Sequence, residues 1–524
     1  MTRSDDPRDA SWSAEVDDLK RRQARAREMG GEERVARQRA QGKLTVRERI
    51  DAVLDAGSFH EIGSITGSSR PATGDAGPEF SPVPCLFGRG LVAGRPVVVA
   101  GDDFTVRGGS ADLAGKRKQE VAEQMAGSLR IPMIRLVDGS GGGGSVKSYE
   151  QSGHTYVPAN PAWDAVVANL ATVPVVALAL GSVAGLGAAR VVSSHYSMIV
   201  KGTAQMFVAG PPVVKQIGED RTKEELGGSG IHARNGAVDD EVETEAEGFV
   251  RARRFLSYLP SSVFELPPRG PRSDDPERRD ESLLDIVPRS RRRVYKMRVI
   301  IDSVVDRDSF FEIGRQHGRS SICGLARLDG WPVALLASDP YVYGGAWSAA
   351  SSQKIVRFLD FAETFHLPVV HLVDVPGFRI GLAAEEAATI RHGARALTAV
   401  YQATGPWCTI IVRKAFGVAG AAMSNAARLP FRYAWPSGDW GSLPLEGGIE
   451  AAYRRDLEAA ADPIALRAEI EERLGRIRSP FRTAERFGIE EIIDPRDTRK
   501  RLCDFANLAA PLRQAGMRAT GYRP

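Results

Sequence analysis

Loops of small residues follow two apolar segments in the first half of the chain, and the same arrangement returns in the second half. The first-half loops are 138–142 (DGSGG) and 183–187 (VAGLG), and the second-half loops are 374–378 (DVPGF) and 416–420 (FGVAG). Small residues let a ligand approach the backbone, and a helix that begins there leaves its first N–H groups unpartnered. The pattern predicts pockets of N–H donors suited to an oxyanion. Tight packing of strand against helix is the alternative for any one loop, and four equivalent loops favour a functional role.

Several common catalytic patterns are missing from the sequence. It has no G-x-x-x-x-G-K-[ST], H-E-x-x-H or G-x-S-x-G, which removes the basis for a P-loop or for these hydrolase classes. Residues 139–144 (GSGGGG) match G-x-G-x-x-G formally, but Gly153 and Pro158 interrupt the helix that a dinucleotide site needs. The four cysteines lie far apart and predict reduced thiols, with neither a zinc site nor a disulfide framework: Cys85, Cys323, Cys408 and Cys503.

The chain repeats itself in four blocks that occur in the same order in each half. The matched pairs are 51–63 with 302–314, 86–110 with 322–346, 131–142 with 367–378, and 172–188 with 404–420. Residues 51–63 read DAVLDAGSFHEIG, for example, and residues 302–314 read DSVVDRDSFFEIG. The sequence therefore predicts an internal duplication, with two copies of one domain of more than about 200 residues.

Strand and helix patterns alternate within each copy. Continuous apolar, often β-branched runs predict buried strands at 96–100, 133–137, 173–180, 333–337, 369–373 and 409–412. Amphipathic stretches predict helices at 116–129 and 353–365. The alternation predicts an α/β fold in which helices cover a largely parallel sheet in each copy.

The duplication and the composition predict four segments. Residues 1–36 form a charged helical arm, whose helix is predicted over 15–39 and has a solvated face. Residues 37–259 and 294–524 are the two domains. Between them, 260–293 is rich in Pro, Arg, Asp and Ser, which is typical of an extended linker.

The charge and hydropathy of the chain exclude two classes of partner. Its 70 Lys and Arg residues are nearly balanced by 66 Asp and Glu, for a net charge of +4, which argues against a dedicated nucleic-acid binder. No apolar run approaches the ~20 residues that span a bilayer. The first residues (MTRSDDPRDA) lack the apolar core of a secretory signal. The sequence predicts a cytoplasmic protein without nucleic-acid or membrane partners.

Several motifs in order give the chain a close resemblance to one family. They are 37–63 (RQRAQGKLTVRERIDAVLDAGSFHEIG), 102–110 (DDFTVRGGS), 207–220 (FVAGPPVVKQIGED), 225–232 (ELGGSGIH), 373–378 (VDVPGF), 413–420 (RKAFGVAG) and 479–502 (SPFRTAERFGIEEIIDPRDTRKRL). Over residues 37–508 the chain resembles the carboxyltransferase (β) subunit of biotin-dependent acyl-CoA carboxylases, the propionyl-CoA and methylcrotonyl-CoA carboxylase group. The resemblance implies two crotonase-like domains in tandem.

The resemblance also implies an activity and its reactants. The family transfers a carboxyl group from carboxybiotin, carried on a separate protein, to the α-carbon (or vinylogous γ-carbon) of an acyl-CoA, and no bound metal is implied. Charge develops on the ureido oxygen of biotin and on the thioester oxygen of the substrate, and preorganised donors stabilise both. The released biotin anion can take the α-proton, which agrees with the lack of a Ser/His/Asp pattern.

The family's site residues carry over to named positions of this chain. The resemblance implies backbone N–H donors at Gly185 and Leu186 on the biotin side, and at Val418 and Ala419 on the acyl-CoA side. Other substrate-binding positions lie in the glycine loop of the first domain and beside the two donor pairs: Ser140, Gly141, Gly142, Gly187, Gly417, Gly420 and Ala421.

The chain departs from the family pattern at several of these positions. Leu186 and Val418 stand where the family usually has glycine, and 138–145 reads DGSGGGGS instead of DSGGAR. Propionyl-type members carry Tyr-Asp where this chain has Gly420-Ala421, which predicts a roomier pocket and a substrate larger than propionyl or of different shape. Arg107 replaces an aromatic residue, and nothing in the sequence explains that change.

The sequence contains neither a biotin-attachment tetrapeptide nor an ATP-grasp-like region. The resemblance therefore implies a partner with biotin carboxylase and biotin carrier domains (an α subunit), and a homo-hexamer within a larger hetero-oligomer. Its active sites would lie between the first domain of one subunit and the second domain of its neighbour. Two alternatives stay open at this point: the α subunit of a biotin-dependent decarboxylase, and a non-catalytic paralogue within a carboxylase complex.

Overall fold

The computed structural model describes residues 11–70, 79–110, 113–139, 150, 153–155, 157, 159–428, 431–518 and 521–524. The chain divides into two compact units. The first comprises Met1–His232 and Glu241–Arg254, and the second comprises Ala233–Asp240 and Phe255–Pro524.

The first unit is built around a seven-stranded sheet whose central strands are parallel. In spatial order the strands are His60–Glu61, Cys85–Val92, Arg95–Asp102, Met133–Val137, Val175–Ala179, Tyr196–Val200 and Asp240–Val242. Two-stranded pairs are formed by Ser182–Ala184 with Gln205–Phe207 and by Gly67–Arg70 with Glu79–Pro82. The central strands are fully buried, as expected for a parallel sheet whose two faces are both covered.

The second unit repeats this plan with an eight-stranded sheet. Its strands in order are Phe311–Ile313, Ser321–Leu328, Trp331–Ser338, Val369–Val375, Trp407–Phe416, Phe431–Ala434 and Glu491–Ile492, with Asp439–Gly441 paired to the end of Trp407–Phe416. The predicted strands at 369–373 and 409–412 are therefore present, and both extend further than the apolar pattern indicates. The α/β class predicted from the alternation is confirmed.

Helices cover the faces of both sheets and fill the connections. Those up to residue 257 are Ser13–Arg27, Glu32–Ala40, Val46–Val53, Leu113–Leu129, Trp163–Leu170, Leu186–Val192, Pro211–Val214, Lys223–Gly227, Ser229–Asn235 and Glu245–Ser257. The later ones are Met297–Val304, Ala349–Thr364, Leu382–Glu386, Thr389–Gln402, Gly417–Ala421, Leu445–Ala452, Arg454–Ala459, Pro463–Ile477, Pro480–Ala484 and Thr498–Ala509. Short 3₁₀ turns are Arg107–Gly109, Lys215–Ile217, Glu281–Leu284, Tyr343–Gly345, Pro495–Asp497 and Ala510–Leu512.

Each sheet has the same hairpin, which shows how closely the duplication is kept. Ala93-Gly94 turns the first hairpin with φ values of 51° and 76°, and Asp329-Gly330 turns the second with 50° and 81°. Positive φ at both central residues suits a two-residue turn between twisted strands. The carboxylate of Asp55 accepts both turn N–H groups in the first copy, and that of Asp306 accepts both in the second.

The single helix predicted over 15–39 is wrong, because the structure has two helices there. They end at Arg27 and begin again at Glu32. Between them Gly31 has φ of 92°, and a Cβ on Gly30 would lie 2.1 Å from the carbonyl oxygen of Thr105. The chain therefore bends where Gly30 packs directly on the loop after strand Arg95–Asp102.

Residues 260–293 contain one regular element, the 3₁₀ turn Glu281–Leu284, and belong to the second unit. Leu283 is buried in that unit's core, together with Ile300, Leu335 and Phe505. The side chain of Arg278 also donates to the carbonyls of Ser303 and Val305. The domain boundaries given above, and the role of this segment as a linker, stay predictions.

Candidate active site

The loops 183–187 and 416–420 have the same backbone path, each leading from a strand into a short helix. Gly185 precedes helix Leu186–Val192 with φ of 54°, and Gly417 begins helix Gly417–Ala421 with φ of 59°. In both copies the last residue of the incoming strand pairs with a parallel strand, Ala184 with Phe207 and Phe416 with Gly441. A left-handed residue is needed to turn the chain sharply, and glycine adopts that conformation without strain.

The amide groups of the two turns differ in their availability. The Gly185 N–H donates to the carbonyl of Phe207 at 3.1 Å, so the fold already uses it. Leu186 and Gly187 follow as the first residues of their helix, where N–H groups have no intrahelical acceptor. The equivalent residues of the second turn are Val418 and Ala419. Val418 is 49% exposed, whereas Ala419 is fully buried.

A buried aspartate stands at the end of a central strand in each unit, immediately before the other small-residue loop. Asp138 accepts hydrogen bonds from Lys43 at 3.0 Å and from Arg49 at 2.8 Å. Burial lowers the pKa of Lys43, and Asp138 partly offsets that effect. Arg49 also binds Glu245, and these carboxylates hold the pKa of its guanidinium above its usual value against the opposing effect of burial.

The equivalent Asp374 has a different set of partners. It accepts from the phenol of Tyr295 at 2.9 Å, from Nε of Arg413 at 3.1 Å and from the backbone N–H of Lys414 at 3.1 Å. Burial, and then the charge of Asp374, raises the pKa of Tyr295 well above its usual value, so the phenol stays protonated and donates. The partners on strand Trp407–Phe416 connect Asp374 to the segment that leads into Gly417.

A strained turn packs against each of these aspartates. Arg107 and Tyr343 occupy equivalent positions with φ of 51° and 52°, and two glycines of positive φ follow each of them. The turn approaches so closely that a Cβ on Gly109 would lie 2.3 Å from the carbonyl oxygen of Asp138. The corresponding distance from Gly345 to Asp374 is 2.2 Å. Non-glycine residues held at positive φ cluster at functional sites, and both turns lie at the carboxyl edge of their sheet.

The segment after helix Gly417–Ala421 is held by hydrogen bonds to one backbone carbonyl, that of Met423. It accepts from Nδ1 of His371 at 3.0 Å, from Nε1 of Trp407 at 2.9 Å and from the hydroxyl of Thr409 at 3.1 Å. The His371 ring also stacks on Trp347 with centroids 6.5 Å apart. Its Nε2 is buried without a hydrogen-bond partner among the described residues. Burial accordingly lowers the pKa of His371 to about 4, although its bond to Met423 opposes the shift.

We expect the second unit to lose stability in acid because of His371. Between pH 6.5 and 4 the unfolded chain binds a proton at this residue that the folded chain does not, so stability is complete above pH 6.5 and falls as pH decreases. The fall in pKa from 6.5 to about 4 corresponds to about 3 kcal/mol of unfolding free energy. Urea denaturation of the wild type and of His371→Asn measures this loss of unfolding free energy. The asparagine keeps an N–H donor to Met423. Parallel curves of unfolding free energy against pH for the two proteins would contradict the assignment.

The substrate-binding positions implied by the resemblance, apart from the turn residue Gly417, fall in three groups. Ser140, Gly141 and Gly142 lie outside the described residues. Gly187 and Gly420 are buried, and Ala421 is exposed. A Cβ on Gly420 would lie 2.5 Å from the carbonyl carbon of Ala415, so the missing side chain faces the incoming strand. Close packing of helix on strand, rather than space for a substrate, explains glycine at this position.

Three residues of the site had no role predicted from the sequence: Asp138, Asp374 and His371. Asp138 and Asp374 entered only as letters of their loops, although an aspartate at the end of the matched strands in both copies was a usable signal. No local pattern indicated His371, because its partner Met423 lies 52 residues away.

Metal-ligating clusters and membrane-spanning helices are both absent from the described residues. No group of three or more His, Cys, Asp and Glu side chains in that part of the chain is placed to hold a metal ion. No helix among the same residues is long and apolar enough to cross a membrane.

Comparison with known proteins agrees with this architecture. Residues 37–517 match the carboxyl transferase domain family. The carboxyltransferase subunit of propionyl-CoA carboxylase from Haloferax mediterranei is 35% identical over 493 residues, which cover 93% of this chain and 94% of that protein.

Two solved structures are also similar. One is transcarboxylase 12S, described as a hexamer assembly with methylmalonyl-coenzyme A and methylmalonic acid bound. It has a TM-score of 0.86 at 30% identity and covers 98% of both chains. The other is a single-chain, multi-domain long-chain acyl-CoA carboxylase, with a TM-score of 0.81 at 26% identity, covering 94% of this chain and 49% of that one.

The fold is therefore the crotonase-like fold that the resemblance implied, present in both halves. The chain belongs to the carboxyl transferase family, as the motifs predicted. It is an enzyme, a carboxyltransferase of the biotin-dependent acyl-CoA carboxylases. The comparisons do not favour the decarboxylase alternative, and they agree with catalysis rather than with a non-catalytic paralogue.

Proposed function

We propose that this subunit transfers the carboxyl group of carboxybiotin, presented by a separate carrier protein, to the α-carbon or vinylogous γ-carbon of an acyl-CoA. The observation that supports this most is the pair of equivalent glycine turns, one in each half of a chain that belongs to this family. Two turns of the same geometry give two oxyanion pockets, one for each oxygen on which charge develops. The first domain would take biotin, and the second would take the acyl-CoA.

The biotin-side donors are proposed to be the N–H groups of Leu186 and Gly187, one residue beyond the pair that the resemblance implied. Gly185 already donates to Phe207, and its equivalent in the second copy is Gly417, which precedes the pair Val418 and Ala419. On the acyl-CoA side, Val418 and Ala419 would hold the thioester oxygen. Gly417 and Gly185 supply the turns, and Gly420 packs closely against Ala415 behind the second donor pair.

Carboxybiotin supplies the carboxyl group, and its released ureido anion supplies a base for the α-proton. The protein's residues would orient the two reactants and stabilise both oxyanions through backbone donors. A donor fixed by the fold needs no reorganisation when charge develops, and loss of one such donor costs ~10²–10³ in rate.

The acyl group is proposed to be larger than propionyl or of different shape. Ala421 presents only a methyl group at an exposed position of the donor helix, and Val418 adds an apolar surface beside it. The long-chain acyl-CoA carboxylase of similar fold agrees with this. Carboxylation rates over C2 to C8 acyl-CoAs, measured with the reconstituted holoenzyme, are expected to peak beyond C3. A sharp optimum at propionyl-CoA would contradict the proposal.

The enzyme is proposed to work with an α subunit that carries the biotin carboxylase and biotin carrier domains. By analogy with the hexameric transcarboxylase 12S, it would form a homo-hexamer in the cytoplasm, with no nucleic-acid or membrane partner. Each active site would then combine the first domain of one subunit with the second domain of its neighbour.

The decisive experiment needs no partner protein. The purified chain is incubated with malonyl-CoA, methylmalonyl-CoA and longer carboxylated CoAs, and loss of CO2 is followed with and without free biotin. Biotin-dependent decarboxylation is the expected result, and its rates also rank the acyl groups. A well-folded oligomer that reacts with none of them would contradict the proposed function.

A further inference from the structure

One arginine at the carboxyl edge of the second unit's sheet has no anionic partner among the residues that the structure describes. The guanidinium of Arg379 lies 4.2 Å from the centre of the Tyr343 ring. No carboxylate of a described residue lies within 4.0 Å of it, although the side chain is only partly exposed. Arg413 on the neighbouring strand, by contrast, is paired with Asp374.

The fold holds this guanidinium in place at some cost. Tyr343, whose ring supports it, has φ of 52°, a conformation that costs a non-glycine residue about 1–2 kcal/mol. On the other side, the Arg379 N–H donates to the carbonyl of Trp347 at 2.9 Å, and the Trp347 N–H donates to that of Gly377 at 3.1 Å. A cation stacked on an aromatic face keeps its N–H groups directed away from the ring and available to an acceptor.

The same contacts place Arg379 beside the donor turn. Gly377 lies two residues before it, and a Cβ on Gly377 would be 3.9 Å from the carbonyl oxygen of Phe416. Phe416 immediately precedes Gly417 and the donor pair Val418 and Ala419. A substrate held by that pair must therefore pass close to the loop that carries Arg379.

We infer that Arg379, supported by Tyr343, binds an oxyanion of the CoA substrate at the entrance to the acyl-side donors. This inference rests on the proposed function. The planar guanidinium matches both oxyanions that such a substrate has: a phosphate of the CoA moiety, and the carboxylate that is gained in the reaction. Arg379 is thus a specificity-determining residue that positions the substrate.

The test measures binding rather than turnover. Isothermal titration of the full-length protein with CoA, acetyl-CoA and malonyl-CoA compares the wild type with Arg379→Ala and Arg379→Lys. Arg307→Ala is the matched control, because this exposed arginine lies far from the donor turn. The N–H of the adjoining Asp306 donates to the carbonyl of Arg327, near the end of strand Ser321–Leu328. Arg327 pairs there with Pro332 at the start of strand Trp331–Ser338, at the opposite edge of the sheet. Analytical ultracentrifugation of each variant reports its assembly.

Arg379→Ala is expected to weaken binding about 10- to 100-fold, the range of one charge-assisted hydrogen bond. An equal loss for all three ligands identifies a CoA phosphate as the partner, and a loss confined to malonyl-CoA identifies the carboxylate. Unchanged affinities, or a smaller assembly with unchanged affinity, would overturn the role of Arg379. Failure of the wild type to bind any CoA would instead count against the proposed function.

Discussion

Leu186→Pro is expected to lower the rate of biotin-dependent decarboxylation by ~10²–10³ while the protein stays folded. Leu186 is the first residue of helix Leu186–Val192, where proline is well tolerated because its ring presets a helical φ and the missing N–H has no intrahelical acceptor. The bonds from Gly185 to Phe207 and from Ala189 to Gly185 are unaffected. The substitution therefore removes one donor and little else.

Leu186→Ala is the control, since it removes the side chain and keeps the N–H group. We expect it to retain activity close to that of the wild type. Val418→Pro and Val418→Ala repeat the comparison on the acyl-CoA side. Thermal denaturation checks that each variant is folded. If Leu186→Pro remained within threefold of Leu186→Ala, Leu186 would not be an oxyanion donor.

Gly185→Pro would be a poor test of the same site. Proline requires φ near −65°, whereas Gly185 has φ of 54°, and its N–H is bonded to Phe207. Loss of activity in that variant would report a damaged turn. The sequence alone could not indicate this long-range backbone bond, because no side-chain pattern reveals which amide groups already have an acceptor in the fold.

The duplication made most of the fold predictable from the sequence. Matched blocks locate both sheets, and buried parallel strands appear as continuous apolar runs. The strand predicted at 409–412 extends over Trp407–Phe416 in the structure. The prediction ended too early because Arg413 and Lys414 interrupt the apolar pattern. Arg413 is only 5% exposed and is neutralised by Asp374, so a charged residue sits inside a buried strand. Hydropathy cannot indicate such a strand end without knowledge of the partner.

The predicted roomy pocket illustrates another limit. Glycine at position 420 suggests missing bulk in front of the donors, but a Cβ there would point at Ala415 behind the helix, 2.5 Å from its carbonyl carbon. The direction of the missing side chain decides whether glycine leaves space for a substrate, since a side chain at a helical position covers one particular neighbour. A sequence states which side chain is absent and leaves unstated where it would have pointed.

Asp374→Ala is expected to be the most destabilising single substitution near the site. The carboxylate is fully buried, and its removal leaves Arg413 buried without a counter-charge. Breaking one side of such a pair costs about 3–5 kcal/mol. The phenol of Tyr295 and the N–H of Lys414 also lose their acceptor. Urea denaturation measures the loss of unfolding free energy.

Glu490→Ala is the control for this prediction. Its pair with Arg432 has a similar distance, 2.8 Å, but both side chains are 23% exposed. Water and ions screen such a pair, and we expect a loss below about 1 kcal/mol. A double variant, Asp374→Ala with Arg413→Met, separates the cost of the unpaired cation from that of the lost hydrogen bonds. Removing both charges avoids the unpaired cation.

If the double variant recovers most of the stability lost in Asp374→Ala, the cost lies in the uncompensated charge of Arg413. Carboxyl transfer is then expected to remain low in the double variant, because Lys414 still lacks the acceptor that fixes the strand before Gly417. Recovery of both stability and activity would show instead that Asp374 serves folding alone. The duplication predicts the same pattern in the first unit, where Asp138 neutralises Lys43 and Arg49 at the equivalent strand end.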